Sequence, residues 1–259
     1  MVRDAVKDAR FNKEPEILPN CVRVFYGEGH HVDIATFRTY QEGDEIIKEI
    51  ASDTGWKASD PRRITVWFHD TIVSLNAGTP GAGSQLRRLV RMLKRFAKSR
   101  GDDWDMPNGL KLTMLAVECH TPHDRDDEAF RSLLQSMSTR LMTDLTVLDL
   151  SDPGEAKVQL TKTSWDSNMM LLRDKTAEAL GQLEVLDLRS CTSGDAAVAW
   201  DWVFQSDGFI QAFEKDAANA VEVFEKAVLA EAGLASTDSA MRIGTAGVAN
   251  KEHRFYGDT

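Results

Sequence analysis

The sequence predicts an α+β protein with a short strand-bearing part followed by a longer all-helical one. Two observations carry this. Near the N-terminus, residues 21–26 (CVRVFY) and 31–37 (HVDIATF) have strand character and flank the turn Gly27-Glu28-Gly29, which makes them an antiparallel hairpin. Beyond residue 58, apolar side chains recur at helical spacing over residues 63–75, 85–100, 110–119, 126–142, 167–186, 195–204 and 209–228. Residues 1–10 read as the end of a helix, 12–20 as a loop, 43–52 as a short helix, 76–84 (NAGTPGAGS) as a flexible loop and 149–155 as a turn. The domain boundaries expected from this pattern are 1–57, 58–235 and a polar C-terminal arm over 236–259.

Composition narrows the function classes. The 259 residues carry 41 acidic and 31 basic side chains, a formal charge of −10, with 42% hydrophobic residues. That is enough apolar material for a core. No apolar run approaches the ~20 residues of a membrane helix, and the start MVRDAVKDARF has no apolar h-region, so no membrane partner is expected. Three scattered cysteines (Cys21, Cys119, Cys191) suit a reducing, cytoplasmic setting. The acidic balance argues against a nucleic-acid polymer as partner, since phosphate neutralisation needs cations.

Two constellations could carry chemistry. Val32 and Ile34 flank Asp33 on the second strand, so Asp33 points to the opposite face. A carboxylate aimed off a sheet suits Mg²⁺, which takes one or two protein carboxylates along with phosphate oxygens; it equally suits a solvated sheet face. The second is the helix over residues 85–100. Leu86, Leu89, Val90, Leu93 and Ala97 make an apolar stripe, and Arg87, Arg91, Lys94 and Lys98 a cationic stripe beside it. Such a stripe fits a triphosphate, or a solvated face paired with acids from elsewhere. Cys119, His120 and His123 lack the spacing of a zinc site, and the Asp124–Asp127 acids read as a helix cap and first turn. No GxSxG elbow supports a serine nucleophile. The six tryptophans read mostly as core anchors.

Taken in order, HVDIATF, WKASDP, QLRRLVRMLKRFAKSR, MPNGLKLTMLAVEC and AWDWVF resemble the bacterial cGAS-like nucleotidyltransferase family (CD-NTases), relatives of oligoadenylate synthases. The resemblance spans about residues 20–213. It implies a polymerase-β-type palm, of which antiparallel strands remain here, joined to a larger helical domain, with nucleotides in the cleft between them. It implies Mg²⁺, with Mn²⁺ as a substitute, held by three carboxylates, of which Asp33 matches the third. By the same resemblance Lys94 matches the helix lysine on the donor triphosphate, with Arg91 beside it. Asn108 stands where the family has a phosphate-touching serine, and Arg254-Phe255-Tyr256-Gly257 resembles the family's C-terminal arm. The Gly-Ser motif and the paired carboxylates that precede Asp33 in the family have no match; the one Gly-Ser, Gly83-Ser84, is followed by no acidic pair on a strand.

The expectation is therefore a synthase that joins ATP and/or GTP into a cyclic oligonucleotide in antiphage defence. This chain is expected to be its downstream two-thirds, inactive without a missing N-terminal half, and to act with an effector protein. The alternatives are a non-catalytic nucleotide- or partner-binding helical module, or a tRNA- or antibiotic-modifying nucleotidyltransferase.

Overall fold

The structure is a computed structural model; it describes residues 2–8, 11 and 13–231. The C-terminal arm expected over residues 236–259 lies outside the described residues. The chain forms two compact units, Met1–Ala177 and Glu178–Thr259.

The first unit opens with α1 (Val2–Ala5), a single turn, and two antiparallel three-stranded sheets. One has the order β1 (Glu16–Leu18), β2 (Cys21–Phe25), β3 (His31–Ile34); the other has β4 (Phe37–Glu42), β5 (Glu45–Ser52), β6 (Gly55–Ala58). The β2–β3 hairpin forms as expected. Its turn closes with the Tyr26 amide on the His30 carbonyl at 2.9 Å, and Gly29 takes a positive φ of 86°. Residues 43–52 are not a helix. Gly43 and Asp44 make a two-residue turn between Glu42 and Glu45, and residues 45–52 are β5. The spacing of Ile46, Ile47 and Ile50 mimics a helical face, but β-branched side chains are stiff at χ1 and settle on a pleated surface. On one face of this sheet Arg38 pairs with Glu49 and lies 4.5 Å from the centre of the Trp56 ring.

Four helices follow in this unit: α2 (Arg63–Gly78), α3 (Ala82–Lys98), α4 (Gly109–Cys119) and α5 (Asp126–Thr143). The core is their meeting ground. Leu86, Leu89, Leu93 and Phe96 of α3 are fully buried, with Met114 and Leu115 of α4 and Phe130, Leu134 and Met137 of α5. Each such side chain contributes ~1.5–3 kcal/mol through removal from water. Gln85, buried on α3, fixes the loop before α5. Its amide nitrogen donates to the His123 carbonyl (2.8 Å) and its amide oxygen accepts from the His123 N–H (3.0 Å). Asp126 receives Arg88 through two hydrogen bonds of 2.5 and 2.8 Å, so the acids at residues 126–128 do start a helix.

The expected flexible loop over 76–84 is instead a tight helix crossing. α2 runs through Gly78, only residues 79–81 turn, and α3 has begun by Ala82. The Gly83 amide donates to Asn76 Oδ1 at 2.9 Å. A Cβ on Gly83 would stand 2.2 Å from the Ile72 carbonyl oxygen, so the backbones meet where only glycine fits. Trp56 and Trp165 are exposed, Trp165 by 75%, contrary to the expectation of core anchors, whereas Trp200 is buried.

α6 (Ser167–Leu183) begins in the first unit and ends in the second, which continues through a 3₁₀ turn (Glu184–Asp187) to α7 (Ser193–Phe204) and α8 (Gly208–Glu231). Thr192 and Asp195 form a capping box at the start of α7. The AWDWVF segment has a structural task. Buried Asp201 accepts from Ser206 Oγ (2.6 Å) and from the Phe209 and Ile210 amides (3.0 and 2.8 Å), capping α8 from inside α7. Burial pushes the Asp201 carboxyl up, but these donors outweigh it and hold it below its ordinary value.

Gly83→Ala should lower the unfolding free energy by about 1–3 kcal/mol through overpacking, although alanine is the better helix former by ~1 kcal/mol. The control is Gly78→Ala, where nothing lies within 4 Å of the added carbon. Urea unfolding of both variants checks this; equal stability of the two contradicts it.

Candidate functional site

The site grows from α3. Its apolar stripe is locked into the core, which turns the cations outward. Arg88 closes on Asp126, while Arg87, Arg91 and Arg95 are exposed. Lys94 differs from them. It is half-buried, and its side chain lies against the start of α4: a Cβ on Gly109 would stand 3.2 Å from its Cε and 3.5 Å from its Nζ. Burial, and then the charge of Lys98 one turn on, push the Lys94 ammonium below the ordinary lysine range.

Asn108 is the N-cap of α4. Its Oδ1 accepts from the Leu110 and Lys111 amides, both at 3.1 Å. The Asn108 side-chain NH₂ and the Gly109 amide are left as donors without a hydrogen-bond partner among the described residues. A lysine ammonium therefore stands at the positive end of a helix, beside uncommitted N–H groups. Like charges meet there, and an anion relieves all of them at once.

These groups line one cleft of about 600 Å³. Lys94 and Lys98 come from α3, Asn108 and Gly109 from the start of α4, and Asp102, Trp104 and Asp105 from the connection between them. Trp104 is half-buried, edge-on to Phe96 with ring centres 5.5 Å apart, and the Arg100 guanidinium lies 4.4 Å from its ring centre. Two contacts tie this corner to the start of α6. The Asn168 side-chain NH₂ donates to the Asp105 carbonyl at 2.6 Å, and the Lys111 ammonium pairs with buried Asp166 at 2.9 Å.

The structure places Lys94 and Asn108, the two residues named by the family resemblance, in one cleft. Arg91 lies one turn before Lys94 but does not line the cleft. Asp33 is not part of it either. On β3 it stands opposite Arg23 of β2, which donates from Nε to Oδ1 (2.7 Å) and from a terminal nitrogen to Oδ2 (2.9 Å). That fork holds the Asp33 carboxyl below its ordinary value. Both carboxylate oxygens are engaged, and among the described residues no group of three His, Cys, Asp or Glu side chains converges to hold a metal ion. As they stand, these residues do not fit the carboxylate-rich centre that Mg²⁺ or Mn²⁺ would need. Cys119 is half-buried at the end of α4, and that burial pushes its thiol up to about 11. The sequence pattern did not reveal Trp104, Asp102 or Asp105 as cleft residues. The one signal was their position just ahead of the Pro107-Asn108-Gly109 helix start.

No protein-family profile matches the chain. Solved structures do. The 3′-deoxy-GTP-bound form of Escherichia coli DncV aligns with a TM-score of 0.55 at 17% identity, over 78% of this chain and 53% of that one. Vibrio cholerae DncV, a cyclic AMP-GMP synthase and prokaryotic cGAS homologue, aligns with a TM-score of 0.57 at 17% identity, over 76% and 53%. Its GTP-bound form gives 0.58 at 18%, over 76% and 52%. At this identity the likeness is one of fold: the chain shares the α+β nucleotidyltransferase fold over about three quarters of its length. It spans about half the length of these structures. Among the described residues no helix is long and apolar enough to cross a membrane.

Removing the neighbouring charge should release Lys94. In Lys98→Ala the Lys94 ammonium should titrate at higher pH than in the parent chain, nearer the ordinary lysine value, as followed by NMR of the side-chain Cε and Hε signals. An unchanged or lower titration point contradicts the geometry of the cleft.

Proposed function

We propose that the chain is the nucleoside-triphosphate-binding part of a cGAS-like nucleotidyltransferase. One observation carries the reading: in the cleft the Lys94 ammonium meets the start of α4, beside the Asn108 NH₂ and the Gly109 amide, with no carboxylate paired to it among the described residues. The donors suit phosphate oxygens. Lys94 supplies a point charge, and Asn108 and Gly109 supply directed hydrogen bonds. Lys98 adds charge from within the cleft, and Arg91 adds longer-range attraction from outside it. A space of about 600 Å³ is ample for one nucleotide. The fold shared with DncV supports the choice of a nucleotide over other anions, since those structures hold GTP and 3′-deoxy GTP.

The reading extends to the joining of ATP and GTP into a cyclic oligonucleotide that signals in antiphage defence. It assigns residues 1–57 to a palm and 58–235 to a helical nucleotide-binding domain. Phosphoryl transfer of this kind is positioning plus charge stabilisation, which a magnesium centre supplies when bound. Asp33 is the residue this reading would give to such a centre, and it would first have to leave Arg23. What the chain's own cleft does is narrower: it grips and orients the phosphates. The chain on its own is accordingly expected to bind nucleotide without forming product.

Calorimetric titration of ATP and GTP into the purified chain, with Lys94→Ala alongside, tests the reading. Micromolar binding should weaken at least tenfold in the variant, about 1.4 kcal/mol, with no cyclic or linear oligonucleotide formed. Absence of triphosphate binding to the parent chain refutes the nucleotide reading. Oligonucleotide product from the chain alone refutes the expectation of inactivity.

A further inference from the structure

The resemblance leads one to expect Mg²⁺ or Mn²⁺ at Asp33, and the sheet disposes of that carboxylate otherwise. Glu16, Arg23 and Asp33 stand in one row across β1, β2 and β3, Glu16 opposite Arg23 and Arg23 opposite Asp33. Residues directly opposite share a face, so the arginine stands between two acidic positions. It closes on Asp33 as a fork, Nε to Oδ1 at 2.7 Å and a terminal nitrogen to Oδ2 at 2.9 Å. Glu16, at the far end of the row, has a cation of its own, the Lys13 ammonium at 3.5 Å. Its backbone lies two strand spacings from that of Asp33, roughly 10 Å. The row supplies no pair of carboxylates that one ion could bridge.

A guanidinium in this fork meets the needs that a divalent cation would meet. It brings positive charge to the carboxylate and engages both oxygens. An incoming ion must break both hydrogen bonds, and its charge then stands beside that of the arginine. We infer that Arg23 takes the place of a divalent cation at Asp33, and that the chain grips its triphosphate free of magnesium. The first half stands on the hairpin alone; the second rests on the nucleotide reading above. The cleft agrees with it. Its donors, the Lys94 and Lys98 ammoniums, the Asn108 NH₂ and the Gly109 amide, suit phosphate oxygens directly. Mg²⁺ prefers the same oxygens and carries like charge, so at this corner it competes with Lys94 instead of adding to the hold. Asp102 and Asp105 border the cleft, but among the described residues no third His, Cys, Asp or Glu side chain joins them to hold an ion.

The test uses the full chain and has two parts. Mn²⁺ relaxes nearby nuclei, so the broadening of backbone amides in NMR maps where it sits. At equal Mn²⁺, broadening over residues 31–34 should be no greater in the parent chain than in Asp33→Asn, and greater in Arg23→Gln, which releases the carboxylate. More broadening in the parent than in Asp33→Asn overturns the inference, because Asp33 then binds metal with Arg23 in place. No gain in Arg23→Gln overturns Arg23 as the group that holds the ion off; if that variant does not fold, the comparison of the parent with Asp33→Asn decides. The second part is calorimetry of ATP binding at fixed ionic strength, with Mg²⁺ and with a chelator in its place. Affinity without Mg²⁺ should lie no more than threefold below that with it. Binding more than threefold tighter with Mg²⁺ overturns the magnesium-free grip. A chain that binds ATP under neither condition overturns the nucleotide reading and the grip with it, while the Mn²⁺ comparison still decides the role of Arg23.

Discussion

A cation held at the positive end of a helix is the constraint on which the rest of the structure bears. Left to itself, the Lys94 side chain would swing into water, away from the start of α4. It is kept there because α3 cannot rotate: Leu86, Leu89, Leu93 and Phe96 are fully buried along its other face. Turning α3 to relieve one ammonium would expose several of these side chains at ~1.5–3 kcal/mol each, against a helix-end interaction of ~0.3–1 kcal/mol. Packing wins, and the electrostatic cost remains as an attraction for an anion.

Two features hold α3 at the correct depth. The approach of Gly83 to the Ile72 backbone sets how closely α2 can lie, and Gln85 fastens the loop before α5 through both amide atoms. At the other end of the cleft, Asn108 caps α4 with its oxygen, which turns its NH₂ group outward for use. Lys111 and Asp166 anchor that first turn to α6. Asp33 shows the opposite balance. A bidentate pair with a facing arginine satisfies it locally, so this carboxylate has no unmet demand for a metal.

How much of this could be read from sequence follows from what each residue depends on. The β2–β3 hairpin and α3 were legible, because alternation around a glycine turn and a long apolar stripe are local signals. Lys94 and Asn108 were named only through the resemblance carried by the order of motifs; that they share one cleft depends on how α3 and α4 pack. β5 was misread because Ile46, Ile47 and Ile50 fit two periodicities, and only hairpin pairing with β4 decided between them. The glycines at residues 78–83 suggested freedom, whereas Gly83 serves contact, a matter of two backbones distant in no local pattern. The Arg23–Asp33 pair depended on strand register, and Asp102, Trp104 and Asp105 on a connection without periodicity.

The most direct measurement is a backbone and side-chain NMR map of the chain titrated with a non-hydrolysable nucleoside triphosphate. The account predicts perturbations concentrated at Lys94, Lys98 and residues 101–112, with the β2–β3 hairpin around Asp33 unmoved. Perturbations centred on Asp33 and Arg23, with the Lys94–Gly109 corner silent, would contradict it.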